Sequence, residues 1–172
     1  MKKLLFALVL LASATLFAQS PFDGTWITKL DTAKFPTKPD QFSLNNNMYE
    51  CLTCVPKVAV KADGTDQKVT GHPYYNTIAV QVQNASSVEI IEKKDGKVMY
   101  ADIATISADG NTLNDKFTDT TGTQPVTGEV TSTRVKPGKA GSHALSGWWR
   151  TSKVDSISNN GLTVTYKAPP MD

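Results

Sequence analysis

Short runs in which apolar and polar residues alternate, separated by Asx-Gly dipeptides, leave this chain few folds to adopt. Val58 and Val60 alternate with Lys57, Ala59 and Lys61, and Ile78, Val80 and Val82 alternate with Gln81 and Gln83. Leu162, Val164 and Tyr166 do the same with Thr163, Thr165 and Lys167. A period of two places one set of side chains on a core and the other in water, the mark of half-buried strands. Between the runs stand Asp63-Gly64, Asp95-Gly96, Asp109-Gly110 and Asn160-Gly161, pairs that tolerate the positive φ of tight hairpins. Helical periodicity is absent after the first twenty residues or so. The expectation is an all-β fold in which most consecutive strands pair antiparallel, as in a meander. Strands are expected at 24–31, 42–52, 56–62, 66–71, 77–83, 86–94, 97–107, 111–119, 125–136, 147–155 and 161–168. Residues 32–40 carry Pro36 and Pro39 and read as a loop with one helical turn around Ala33-Lys34-Phe35. Residues 137–145, small and flexible, read as a linker.

The first eighteen residues have the parts of a secretory signal: basic Lys2 and Lys3, an apolar run from Leu4 to Leu11, and Leu16-Phe17-Ala18 at the cleavage position. The apolar stretch is short for a bilayer span of about 20 residues, so the reading is export to the periplasm or beyond, with no membrane span in the mature chain. Loss of Lys2 and Lys3 leaves sixteen basic against sixteen acidic residues. That balance removes the compositional case for a nucleic-acid or acidic-membrane partner. The only cysteines, Cys51 and Cys54, admit a short-loop disulfide suited to an oxidising compartment, a redox pair, a metal site completed by His72 and His143, or free thiols. A thioredoxin-like pair needs a helix after it, and the histidine spacing fits no zinc motif. Three residues apart on an extended strand the thiols would lie about 10 Å apart, so a disulfide requires residues 51–54 to bend.

Gly24-Thr25-Trp26 has an echo at Gly147-Trp148-Trp149, within the similar stretches 23–31 and 146–155. If this is a repeat, Gly147 opens a second unit that 146–172 leaves incomplete; a barrel that recruits the last two strands into its own wall is the other reading. The opening Phe22-Asp23-Gly24-Thr25-Trp26 resembles the start of lipocalin-like β-barrels. More closely, the chain resembles a group of exported bacterial proteins with lipocalin-like repeats. The shared motifs are Asp-Gly-Thr-Trp at 23–26, Lys-Phe-Pro at 34–36, Lys-Ala-Asp-Gly at 61–64, Gly-His-Pro-Tyr at 71–74 and Lys-Asp-Gly-Lys at 94–97. Thr-Arg-Val at 133–135 and Ser-Gly-Trp-Trp-Arg at 146–150 complete the series. The resemblance implies an up-and-down antiparallel barrel over 21–136. It also implies that Trp26 plugs one end of the barrel and that Arg134 stacks on its ring. A lipocalin Thr-Asp-Tyr loop motif and a C-terminal helix are missing.

Chemistry is sparsely marked. No Gly-x-Ser-x-Gly, phosphate-binding loop or other cofactor motif is present. His72 reads as a turn residue at the rim or a ligand contact, with Tyr74 and Tyr75 beside it, and His143 reads as solvent-facing. Asp102, Asp115, Asp119 and Glu129 lie on separate strands and read as solvated strand faces rather than a paired acid and nucleophile. Trp148 and Trp149, adjacent on a strand, must face opposite sides. The leading expectation is non-catalytic binding of a small, partly apolar molecule inside the barrel, with His72, Tyr74 and Tyr75 as candidate contacts. The alternative is a structural or interaction module whose lumen is filled by Phe42, Ile78, Ile90, Phe117 and Val130. A hydrolytic or redox enzyme is a third reading. No cofactor or metal is expected.

Overall fold

The computed structural model describes residues 21–167; the expected export signal at 1–18 and the last five residues lie outside them. Twelve strands form. They are β1 (Gly24–Ile27), β2 (Asp40–Asn45), β3 (Met48–Cys51), β4 (Val58–Lys61), β5 (Gln67–Lys68), β6 (Thr77–Asn84), β7 (Ser87–Lys94), β8 (Lys97–Ile106), β9 (Thr112–Asp119), β10 (Val126–Pro137), β11 (Gly147–Ile157) and β12 (Thr163–Tyr166). Ten of them make one antiparallel sheet in the order β4-β3-β2-β11-β10-β9-β8-β7-β6-β5. The sheet curls into a nearly closed barrel: an isolated bridge joins Asp63 to Gln81, and the Gly64 N–H donates to the Val80 carbonyl at 2.9 Å. Among the described residues no helix is long and apolar enough to cross a membrane.

The turns account for most of the register. Asp95 and Gly96 have φ of 51° and 82°, the paired positive values of a type I′ hairpin, and join β7 to β8. The run predicted as one strand over 42–52 is instead a hairpin. Asn46 and Asn47, with φ of 49° and 60°, turn β2 into β3, because asparagine enters this region more readily than other non-glycine residues. Asn160-Gly161 departs from expectation in the other direction. It lies in a single helical turn, Asn159–Leu162, linking β11 to β12, which do not pair with each other. The early helical turn occupies Leu30–Thr32 rather than 33–35.

The two Gly-x-Trp segments take different places. β11, opened by Gly147-Trp148-Trp149, is a wall strand of the single barrel, paired with β10 on one side and β2 on the other. Residues 147–157 therefore do not begin a separate unit. The segment 137–145 joins β10 to β11 within the one barrel; it is exposed over 137–141 and ends on Leu145, which is 2% exposed. β1 lies outside the barrel in a two-stranded ribbon with β12. The expected plug, Trp26, is consequently 53% exposed, its indole N–H donating to the Phe22 carbonyl at 3.1 Å. Arg134 stacks instead on Trp149, its guanidinium carbon 3.9 Å from the ring centroid. Trp149 is 1% exposed and donates from Nε1 to the Leu145 carbonyl at 2.7 Å. Trp148, on the opposite face of the strand, is exposed, with Lys136 Nζ 5.5 Å from its ring centroid. Since an exposed side chain away from special backbone features contributes little, Trp26→Ala is expected to change unfolding free energy by less than about 1 kcal/mol. Chemical denaturation of the two proteins side by side measures it.

The core runs along the inner faces of β3, β4 and β6 to β9, from Tyr49, Val58 and Val60 through Ile78, Val80 and Val88 to Ala104, Ile106 and Leu113. Trp149 and Leu145 join it from the β11 end. These residues follow the period-two alternation of the sequence.

Candidate cavity site in the barrel lumen

Side-chain parity on three neighbouring strands builds the site. On β7 the inward phase is Val88, Ile90, Glu92; on β8 it is Tyr100, Asp102, Ala104, Ile106; on β9 it is Leu113, Asp115, Phe117. Each strand thus carries a carboxylate within its otherwise apolar or aromatic phase, and β9 carries a second, Asp119, at its end. Register then brings Glu92, Asp102 and Asp115 together. Glu92 lies opposite Tyr100, two residues from Asp102; Asp102 lies opposite Phe117, two residues from Asp115. Diagonal neighbours of this kind sit roughly 7–8 Å apart, so Asp102 stands between Glu92 and Asp115 along a diagonal of the inner wall.

All three line one cavity of about 310 Å³. Its remaining wall is aromatic and aliphatic, including Phe42, Tyr49, Ile78, Ile90, Phe117, Val130 and Leu145, and no lysine, arginine or histidine takes part. The large side chains expected to fill the lumen (Phe42, Ile78, Ile90, Phe117 and Val130) line the space without filling it. Along the strands, Leu113 lies opposite Ile106 toward the Arg134–Trp149 end, while Glu92 and Tyr100 lie toward the other.

The electrostatics follow from the enclosure. Desolvation pushes the Glu92 carboxyl up to about 7, against a smaller opposing effect of a hydrogen bond from Tyr75. Desolvation, with Asp40 adding like charge, takes Asp115 to about 7. Asp102 is raised well above the ordinary carboxyl range, first by burial and then by Asp115 and Glu92. Burial likewise lifts Tyr75 to about 12 and pushes Tyr49 and Tyr100 up. Desolvation disfavours the charged form of an acid, and here no cation offsets it.

Of the three candidate ligand contacts, one reaches the cavity. Tyr75 is 9% exposed and lines it. His72 stacks on Tyr75, centroids 4.4 Å apart, outside the lining, and Tyr74 is 66% exposed. Asp102 and Asp115 do not lie on solvated faces as expected: their inward parity puts them in the lumen. Asp119 and Glu129 are outside the cavity, where Asp119 receives the Thr121 amide and hydroxyl and Glu129 the Asn114 amide. Glu92, not singled out in the sequence, carried the same legible signal as the two aspartates, a carboxylate in the apolar phase of a strand. His143 does more than face solvent: its Nε2 lies 2.8 Å from the Asn84 carbonyl, and its Nδ1 accepts from the Leu145 amide at 3.1 Å.

Cys51 and Cys54 form a disulfide, with Cα atoms 5.4 Å apart, because the chain leaves β3 at Cys51 and bends. The disulfide adds sulfur to the cavity wall. Among the described residues no group of three or more His, Cys, Asp or Glu side chains is arranged to hold a metal ion. Fold and site together define an antiparallel β-barrel with an acidic, aromatic-lined internal cavity. No family model, curated protein or solved structure matches the chain.

Proposed function

We propose that the chain is an exported β-barrel that binds a small, partly apolar molecule in its lumen without transforming it. The observation that carries this reading is the cavity of about 310 Å³, at the lower end of the size usual for small-molecule sites and mostly apolar in its wall, as they are. A structural module with a filled lumen gains nothing from leaving such space, since an unfilled core costs stability in proportion to its volume. A catalytic reading has less support. The raised carboxyls would suit a general acid, but the cavity wall offers no serine, threonine, histidine, lysine or free thiol as a nucleophile beside them.

Filling the cavity tests the reading. Ala104 is 2% exposed and on the cavity wall, so Ala104→Phe puts a ring into the space. The neutral solvatochromic dye prodan is expected to bind the parent protein with a blue-shifted emission and to bind the variant at least about tenfold more weakly. Far-ultraviolet circular dichroism verifies that the variant keeps its strands. Equal binding to a folded variant would place the dye elsewhere and defeat the proposal.

A further inference from the structure

The lumen presents acid without base. Glu92, Asp102 and Asp115 climb diagonally across β7, β8 and β9 into one cavity, whose wall holds no cationic side chain. The Tyr75 hydroxyl beside Glu92 favours its charged form. Asp102 has no such help: it is half-buried in the barrel wall, lines the cavity, and neither hydrogen-bonds nor ion-pairs with any described side chain. Holding a carboxylate against a mostly apolar wall with no cation beside it costs free energy, and Asp115 shares that position with Asp102. A partner that enters from outside removes that cost.

We propose that the ligand of this cavity is an organic cation, an ammonium or amidinium group on an apolar body, with Asp102 as its counter-ion and Glu92 and Asp115 flanking it. The inference rests on the reading of the lumen as a binding site and adds the chemical class. Two independent features favour a cation over a neutral hydrogen-bond donor. Like-charged neighbours gain most from a positive ligand, because it relieves the repulsion among them as well as pairing with one. The aromatic faces of Tyr49, Tyr100 and Phe117 on the same wall also attract an ammonium through their quadrupoles. A bare metal ion suits the site less, because no three of its carboxylates converge as ligands.

Three probes of equal length and different charge decide the matter: octylammonium, octanol and octanoate, each used at submicellar concentration to displace prodan from the mature protein near neutral pH. Octylammonium is expected to displace the dye at a concentration at least about tenfold lower than octanol, with octanoate weakest. Asp102→Asn is expected to weaken octylammonium about tenfold while leaving octanol within about twofold. Glu92→Gln, on the neighbouring strand, gives a smaller loss in the same direction and supplies the test should the Asp102 variant not fold. If octanol or octanoate displaces the dye as well as octylammonium does, the cation assignment falls and the binding site stands. If prodan itself fails to enter the parent protein, the binding reading falls and takes the cation with it.

Discussion

Trp149→Ala is expected to destabilise the barrel by about 3–5 kcal/mol, the range for removing a large aromatic side chain from a closed core. The corresponding change at Trp26, the other tryptophan of the Gly-x-Trp pair, is expected to be nearly silent. Trp149 is 1% exposed, and its ring lies between the core and the Arg134 guanidinium. Deleting it leaves a void and removes the face on which Arg134 rests. Arg134 is in turn tied to three backbone carbonyls: Gly110 through Nε, Ser146 through Nη1 at 2.7 Å and Ala144 through Nη2 at 2.7 Å. Those bonds join the β8–β9 turn, the start of β11 and the loop before it, so the arginine closes this end of the barrel as a clamp. Arg134→Lys keeps the charge but cannot reach three carbonyls from one planar fork. It should lose about half as much stability as Trp149→Ala, a rough figure set by orphaned carbonyls at about 1 kcal/mol each. Equilibrium denaturation in guanidinium or urea measures all three variants. Equal losses at Trp26 and Trp149 would contradict the assignment of the plug.

The glycine of the motif belongs to the same device. Gly147 has φ of 144°, and a β-carbon there would come within 2.6 Å of Arg134 Nη1 and of the Lys136 carbonyl. Gly24 has nearly the same φ, 141°, with nothing near it. The two segments thus share a backbone conformation and differ in what surrounds them.

That difference marks the limit of what the sequence could tell. Strands and hairpins were legible because alternation and Asx-Gly chemistry are local, and ten of the twelve strands close one barrel. The choice between Trp26 and Trp149 as plug is not local. Both segments offer the same chemistry, and which one seats depends on which can pair with β2 and β10 at once. Only Gly147–Trp149 does so. Asn160-Gly161 misled for a related reason: an Asx-Gly pair permits a hairpin but does not compel one where the flanking strands have other partners. The carboxylates were readable and were read too generically. In Tyr100-x-Asp102-x-Ala104-x-Ile106 and Leu113-x-Asp115-x-Phe117 the aspartate keeps step with the apolar residues, so a buried strand face forces it inward. A carboxylate in the polar phase of a strand is solvated, and one in the apolar phase is carried inward. In the 72–75 turn no strand alternation fixes which way His72, Tyr74 and Tyr75 point, and only Tyr75 reaches the cavity.

Melting temperature is expected to fall as pH rises from about 5 to about 8.5, opposite to the usual behaviour of a protein whose carboxylates are salt-bridged. Burial raises Glu92 and Asp115 to about 7, with like charge added by Asp119 and by Asp40 respectively, and it raises Asp102 well above its ordinary value, with like charge from Asp115, Glu92 and Glu89. In the unfolded chain the same groups ionise near their ordinary values, 4.5 for the glutamate and 3.8 for the aspartates. Between those limits the folded protein holds protons that the unfolded chain has released. The stability they contribute is therefore complete below about pH 4 and is lost as pH climbs through 7, at up to about 1.4 kcal/mol per pH unit for each group. Residual access to solvent lowers that slope, and a net loss of about 2–4 kcal/mol across the window is the reasonable scale. For a domain of this size it corresponds to a fall of roughly 5–10 °C. Asp63, Asp109 and Asp155 are lowered by local hydrogen bonds. Their contribution is lost only as pH falls through their folded values, outside the chosen window. Replacing Glu92, Asp102 and Asp115 together by their amides should flatten the profile and leave the variant more stable than the parent at about pH 8.5, since neutral amides suffer no ionisation penalty. Scanning calorimetry at fixed ionic strength reads both effects. A parent melting temperature that holds level or rises across the window would mean that the lumen solvates its carboxylates, and the cavity would then lose the electrostatic reason for preferring a cation.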